Sequence, residues 1–361
     1  MHKFGLNKQI VSLALLFSFF GLVFYSSAKA SSQDLFYQPF LGQIHAINTL
    51  SGNSQVKIAI IDEGIDFTQA DLKNTDSGNR WNFLFNSDDL TPQGSHGTQV
   101  AGAILAADQN NKNIKFMNLI ACSQSEGCDM KAIIDSIYYA ADHGAQVINL
   151  SFTVADQQGY LDQFTDAISY AYHKNIVIVA ASGNGDLTHR AFNLDTHPLS
   201  PVCNDGLENM VLGVSAISDN DSPVSWANFG SCVDVSAPGN NIYTTLSPIY
   251  NGGSSYGYKS GTSYAAPIVS ALAAEILTIN NTLTSRQVMD TIINHASPLN
   301  FSGYGSGVVN FNSTLSAVSK QPQISTAEVI INVPKKPKTT AVKKAVAQKS
   351  PATKLYIRGP Y

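Results

Sequence analysis

Basic residues are scarce in the body of this 361-residue chain. Of its 22 Lys and Arg, eight lie beyond residue 320 and three within the first 30, leaving 11 between residues 31 and 320 against 25 of the 26 acids, a formal balance of −14. Such a body offers no cationic surface to a polyanion, so no nucleic-acid partner is expected. Cysteine is sparse as well: Cys122, Cys128, Cys203 and Cys232 are the only four. None stands in the two-residue spacing of a zinc ribbon, which speaks against a metal site, and none lies near the N-terminal segment, where a lipid anchor would need a thiol. No repeat of fixed period runs through the chain, which excludes solenoids and propellers.

The two ends differ from the body. Lys3 and Lys8 precede an apolar run from Ile10 to Tyr25 and then Ala28-Lys29-Ala30, the pattern of a signal peptide over residues 1–30 cleaved after Ala30; an uncleaved anchor is the alternative. Export places the protein outside the cell or in a periplasm. There an even number of cysteines favours two disulfides; three pairings are open, and Cys122 with Cys128 and Cys203 with Cys232 is the expected one. Residues 321–361 form a basic Pro/Lys/Ala-rich tail with one acid, Glu328, expected to be disordered. Membrane contact is expected only through the signal segment or this tail. Between them, residues 31–320 are long enough for one large core. Strand-like runs at 57–61, 114–120, 146–151 and 176–181 alternate with helix-like runs at 97–107, 130–143 and 162–174. This alternation predicts an α/β fold with a mostly parallel central sheet and helices on both faces.

Three short segments carry residue types suited to acyl transfer. Gly261-Thr262-Ser263-Tyr264-Ala265-Ala266-Pro267 puts a serine between small residues at the start of an Ala-rich helical run. Free N–H groups in the first turn of a helix can stabilise an oxyanion, although a serine there alone is more often an N-cap. Asp62 ends the wholly apolar run Ile58-Ala59-Ile60-Ile61, which places it at the carboxyl edge of a buried parallel sheet. His96 sits in Gly94-Ser95-His96-Gly97-Thr98 before a run of small residues. A serine hydroxyl needs a base to take its proton, and a histidine of pKa about 6.5 held by a carboxylate is such a base.

With Asp62, His96 and Ser263 in that chain order, residues 36–318 resemble the subtilisin-like serine proteases, or subtilases. Two further motifs extend the resemblance. Ile176 to Asn184 ends in Ser182-Gly183-Asn184, and Val147 to Ser151 is similar to the strand that holds the substrate backbone. The resemblance implies a subtilisin-like three-layer fold and a secreted serine endopeptidase acting on protein or peptide substrates. Ser263 would be the nucleophile, His96 the general base and acid, and Asp62 the residue that orients His96. The Asn184 side chain and the Ser263 N–H would form the oxyanion hole. Ser151, Phe152, Thr153, Ala181, Ser182 and Gly183 would line the substrate groove, and the Cys122–Cys128 loop would border it. No catalytic cofactor is implied. Structural calcium is common in the family, but the segment Asp108 to Asn113, where one site would fall, is short and contains Lys112.

The chain also departs from the family pattern. Glu63 replaces the usual Ser or Thr, and Gln99 replaces a common second histidine. Phe152-Thr153-Val154 stands where glycines usually line the pocket for the residue before the scissile bond, which predicts restricted specificity. The segment from Gln38 already resembles the start of the mature domain, so a separate chain would have to supply any inhibitor or folding helper. Two rival readings remain. One is a catalytically silent subtilase fold that binds peptides or surfaces; the other is an esterase using Gly253-Ser254-Ser255-Tyr256-Gly257, a motif that here reads as a loop.

Overall fold

A computed structural model describes residues 32–46, 50, 52–108, 113–155, 161–186 and 188–320. The signal segment, the basic tail and most of the 108–113 segment lie outside them. Seven strands build the sheet: β1 (Val56–Asp62), β2 (Asp76–Asn82), β3 (Ile114–Ile120), β4 (Val147–Leu150), β5 (Val177–Ala181), β6 (Leu212–Ile217) and β7 (Val235–Pro238). Their order is β7-β6-β5-β4-β1-β3-β2, and every adjacent pair is parallel. The inner strands are apolar at nearly every position because both faces are covered. Only β2, on the edge, is polar and half-exposed.

Helices α1 (His96–Ala107) and α4 (Thr262–Ile279) pack on one face, within a core that includes Ile58, Ile60, Val147 and Val179. Helices α2 (Met130–Asp142) and α3 (Leu161–His173) cover the other face, over Ala59, Ile61, Ile148 and Ile178. Successive β1 residues therefore feed opposite cores, as the two-residue period of a strand requires. The chain leaves β1 for one edge through β2 and β3, then crosses to β4 and continues to the other edge. The carboxyl end of β1 thus lies where the winding reverses, the place where open α/β sheets bind ligands.

Helix α4 is long and apolar enough to cross a membrane, but the protein encloses it, and it contacts β1 and β4 to β7 as well as α1. Two shorter helices, α5 (Ser285–Asn294) and α6 (Phe311–Ser319), close that face. Both expected disulfides are present, Cys122–Cys128 and Cys203–Cys232.

Asp205 and Asp234 stand two residues after the cysteines of the second bridge and are largely buried. Burial, then the charge of Asp234, pushes the Asp205 carboxyl up to about 7; burial pushes Asp234 up to about 6, against hydrogen bonds from Gly213 and Asn209. The unfolded chain ionises these groups near 3.8, so their ionisation opposes folding as pH rises from about 4 through 7. Asp205→Asn, which keeps an acceptor for Val211 N–H, should therefore raise the melting temperature at pH 8 and leave it unchanged at pH 4. The gain should be at most a few kcal/mol, measured by calorimetry at both pH values.

Candidate active site

Strand and helix ends from distant parts of the chain meet at the carboxyl edge of the sheet. Asp62, the last residue of β1, is buried. Its Oδ1 accepts from Glu63 N at 2.7 Å, and its two oxygens lie 3.0 and 2.9 Å from His96 Nδ1. An ionised carboxylate can only accept, so Nδ1 carries the proton and the neutral ring offers its lone pair at Nε2. Burial would lower the His96 pKa, but the charge and hydrogen bond of Asp62, then the charge of Glu63, outweigh it and hold the ring at about 9. The ordinary value read from sequence does not survive these two neighbouring carboxyls.

Ser263 is the second residue of α4. Four residues on, Pro267 has no N–H, so the Ser263 carbonyl loses its helical partner. That carbonyl accepts instead from Ser151 Oγ at 3.0 Å, while Ser263 Oγ donates to Ser151 O at 2.8 Å. Asn149 Nδ2 donates to Ser151 Oγ, and Ser270 Oγ donates to Asn149 Oδ1, so a buried polar chain ties β4 to α4. The Ser263 hydroxyl thus donates to Ser151 O in this structure.

Asn184 follows β5. Its Oδ1 accepts from both Thr262 N (2.8 Å) and Thr262 Oγ1 (2.9 Å), which fixes the amide orientation because a backbone N–H can only donate. The Asn184 NH2 group is left to donate elsewhere. Thr262 Oγ1 also accepts from Gly183 N. No described group accepts from the Ser263 N–H.

Asp62, His96, Ser263, Ser151 and Phe152 line one cleft of about 390 Å³, together with both cysteines of the Cys122–Cys128 hairpin. Glu63, Tyr250, Asn251, Lys259 and Tyr264 are also among its lining residues. Thr153, Ala181, Ser182, Gly183 and Asn184 do not line it. Ala181 is in the apolar core, and Ser182 Oγ donates to Asn228 O. Thr153 instead lies against Gly183. Gln99 accepts from the Tyr264 hydroxyl at 2.6 Å, and the Tyr264 ring meets the His96 ring edge-on. Thr262, Tyr264 and Lys259 are part of this environment, although the sequence offered no signal for them beyond proximity to Ser263. Among the described residues, no group of three or more His, Cys, Asp or Glu is placed to hold a metal ion.

Known proteins resemble this chain over most of its body. The family model described as "Subtilase family" matches residues 53–317. The Thermophilic serine proteinase of Bacillus sp. (strain AK1) is 36% identical over 238 residues, 64% of this chain and 54% of that protein, so the chain spans about half of that relative's length. Thermitase of Thermoactinomyces vulgaris is 34% identical over 62% of this chain and 75% of its own. Subtilisin DY of Bacillus licheniformis is 30% identical over 71% of this chain and 89% of its own. Among solved structures, a lanthipeptide protease superposes with a TM-score of 0.67 at 22% identity, covering 78% of this chain and 93% of that one. The last likeness is one of fold.

The two disulfides should separate stability from activity. With sequence separations of 6 and 29, loop entropy alone gives about 2 kcal/mol for Cys122–Cys128 and about 4 kcal/mol for Cys203–Cys232. Replacing both cysteines of the first pair by Ala should lower kcat/KM, because that hairpin walls the cleft. Replacing the second pair should lower the denaturation midpoint more and leave kcat/KM of the folded protein unchanged. Urea melts beside peptidase assays measure both.

Proposed function

We infer from the subtilase family, to which this chain belongs, that it is a serine endopeptidase whose Ser263 forms an acyl-enzyme with its substrate. The observation that carries this reading is the Asp62–His96 pair in the same cleft as Ser263. In the first step Ser263 Oγ attacks the scissile carbonyl and its proton passes to His96 Nε2. Asp62 holds the Nδ1–H and stabilises the imidazolium. The tetrahedral oxyanion takes hydrogen bonds from the Asn184 NH2 and the Ser263 N–H, aimed by Thr262 and by the start of α4. His96 then returns the proton to the leaving amine, and water releases the acyl group by the same route. These steps need no cofactor.

The resting contact of Ser263 with Ser151 does not oppose this reading, since catalytic hydrogen bonds are often completed only when substrate binds. It does leave a silent peptide-binding fold as the alternative, and a fluorophosphonate probe decides between them. The purified protein should label at Ser263, and Ser263→Ala should not. Asn184→Leu should lower kcat by about 10²–10³ with KM little changed. A wild type that neither labels nor hydrolyses casein would sink the peptidase reading.

The two disulfides support an oxidising destination, outside the cell or in a periplasm, after removal of residues 1–30. In the same proposal residues 31–320 form the peptidase domain and 321–361 a basic tail.

Specificity follows from the strand ends beside Ser263. Gly183 has φ +97, a left-handed conformation suited to glycine, and Thr153 Oγ1 and Cγ2 lie 3.1 and 3.2 Å from where a Cβ would stand there. By resemblance to the family, the residue before the scissile bond would enter between these strands, and Thr153 fills that space. Gly or Ala should be preferred at that position. Thr153→Gly should raise kcat/KM for a Phe-containing peptide by about tenfold or more relative to Ala; equal use of Phe and Ala by the wild type would count against it.

A further inference from the structure

Helix α1 begins at His96, and its own N-cap residue does not cap it. Ser95 has helical backbone angles, and its hydroxyl accepts from Asn251 Nδ2 (2.6 Å) and Ser247 N (3.1 Å) rather than from the first turn of the helix. The group that accepts from the first N–H comes from another element: Glu63 Oε2 lies 3.0 Å from His96 N. Glu63 follows Asp62 directly, so two adjacent carboxyls hold one histidine, Asp62 by the ring and Glu63 by the backbone. A carboxylate at a helix N-terminus also faces the positive end of the dipole.

The space for that carboxylate is provided by Gly94. A Cβ at residue 94 would stand 2.0 Å from Glu63 Oε2 and 2.9 Å from Gln124 Cβ, so any side chain there would push the carboxylate away. The other charged or titratable groups around the ring are Asp62 on β1, Lys259 in the strand Tyr256–Lys259, and the Tyr264 hydroxyl on α4, which is bound to Gln99. Of these, only Lys259 carries positive charge.

We propose that Glu63 is a positioning residue that caps α1 at His96 and sets the pH below which the catalytic base is lost. Its negative charge favours protonated His96, so ionised Glu63 moves the acid limb of activity to higher pH. Burial, partly offset by His96, pushes the Glu63 carboxyl itself up to about 7. As pH falls, the ring is charged first and the charged ring favours ionised Glu63, so the bond to His96 N weakens only at lower pH, after the base is already lost. For kinetics this rests on the peptidase reading; the ring titration does not.

Two measurements test it on the full chain. The His96 ring is titrated by NMR in a Ser263→Ala background, and kcat/KM is followed against pH in the active protein. Glu63→Gln should lower both midpoints by about half a unit or more, a roughly threefold loss of proton affinity. Gly94→Ala, which leaves Glu63 chemically intact but displaced, should shift them the same way, whereas Glu63→Asp should restore part of the difference. Should Glu63→Gln not fold, Gly94→Ala carries the test alone. An unshifted ring in the variants overturns the proposal even where hydrolysis persists. A shifted ring with no hydrolysis by the wild type would retire the peptidase reading and keep the role of Glu63.

Discussion

The hydrogen bond from His96 to Asp62 joins the last residue of a central strand to the first residue of the helix above it, and the geometry of the cleft depends on it. Its strength comes from its place. Asp62 sits at the end of a strand closed on both faces, where water cannot screen a charge, so a single proton on the imidazole is worth more there than on a surface histidine. The same burial makes the site sensitive to a second carboxyl nearby. Glu63 adds charge to a ring already held by one anion, and this chain therefore departs from an ordinary histidine in the direction of tighter proton binding.

The serine side is held by a different device. A proline inside α4 removes one helical hydrogen bond, and the freed carbonyl is taken by Ser151 from the end of β4. Helix and strand are thereby fixed to each other at Ser263 itself. Asn184, beyond the next strand, is fixed by Thr262, the residue before Ser263. Three neighbouring strand ends, β1, β4 and β5, thus each supply a fixed contact to this edge, which a parallel sheet can do because all its strands end on the same side.

Much of this was legible in the sequence, for identifiable reasons. The inner strands β1, β3, β4 and β5 read clearly because double-sided burial leaves unbroken apolar runs, β1 and β3 to within a residue. Strands β2, β6 and β7 have no counterpart among those runs: β2, Asp76–Asn82, is a polar edge sequence, and the apolar runs of β6 and β7 are short and broken by Gly213, Ser215 and Ser236. Asp62, His96, Ser263 and Asn184 stood out because each lies at or just beyond the end of a strand or at the start of a helix. The direction of a side chain was harder to read. Ala181 and Ser182, which precede Asn184, direct their side chains into the core and to Asn228 O, a placement that the apolar run ending at Ala181 does not specify. Tyr250 and Asn251 reach the cleft from a loop far along the chain, and only the packing of that loop against the segment before His96 brings them there.

The order of the strands has a consequence for biosynthesis. Asp62 and His96 lie in the first third of the chain, while Ser263 arrives on a helix that ends at Ile279 and fills the centre of one face. A nascent chain that has not yet released that helix has neither Ser263 in the cleft nor the core that closes the sheet. Any hydrolytic capacity therefore appears only once most of the domain has emerged and can fold, which delays it until late in synthesis.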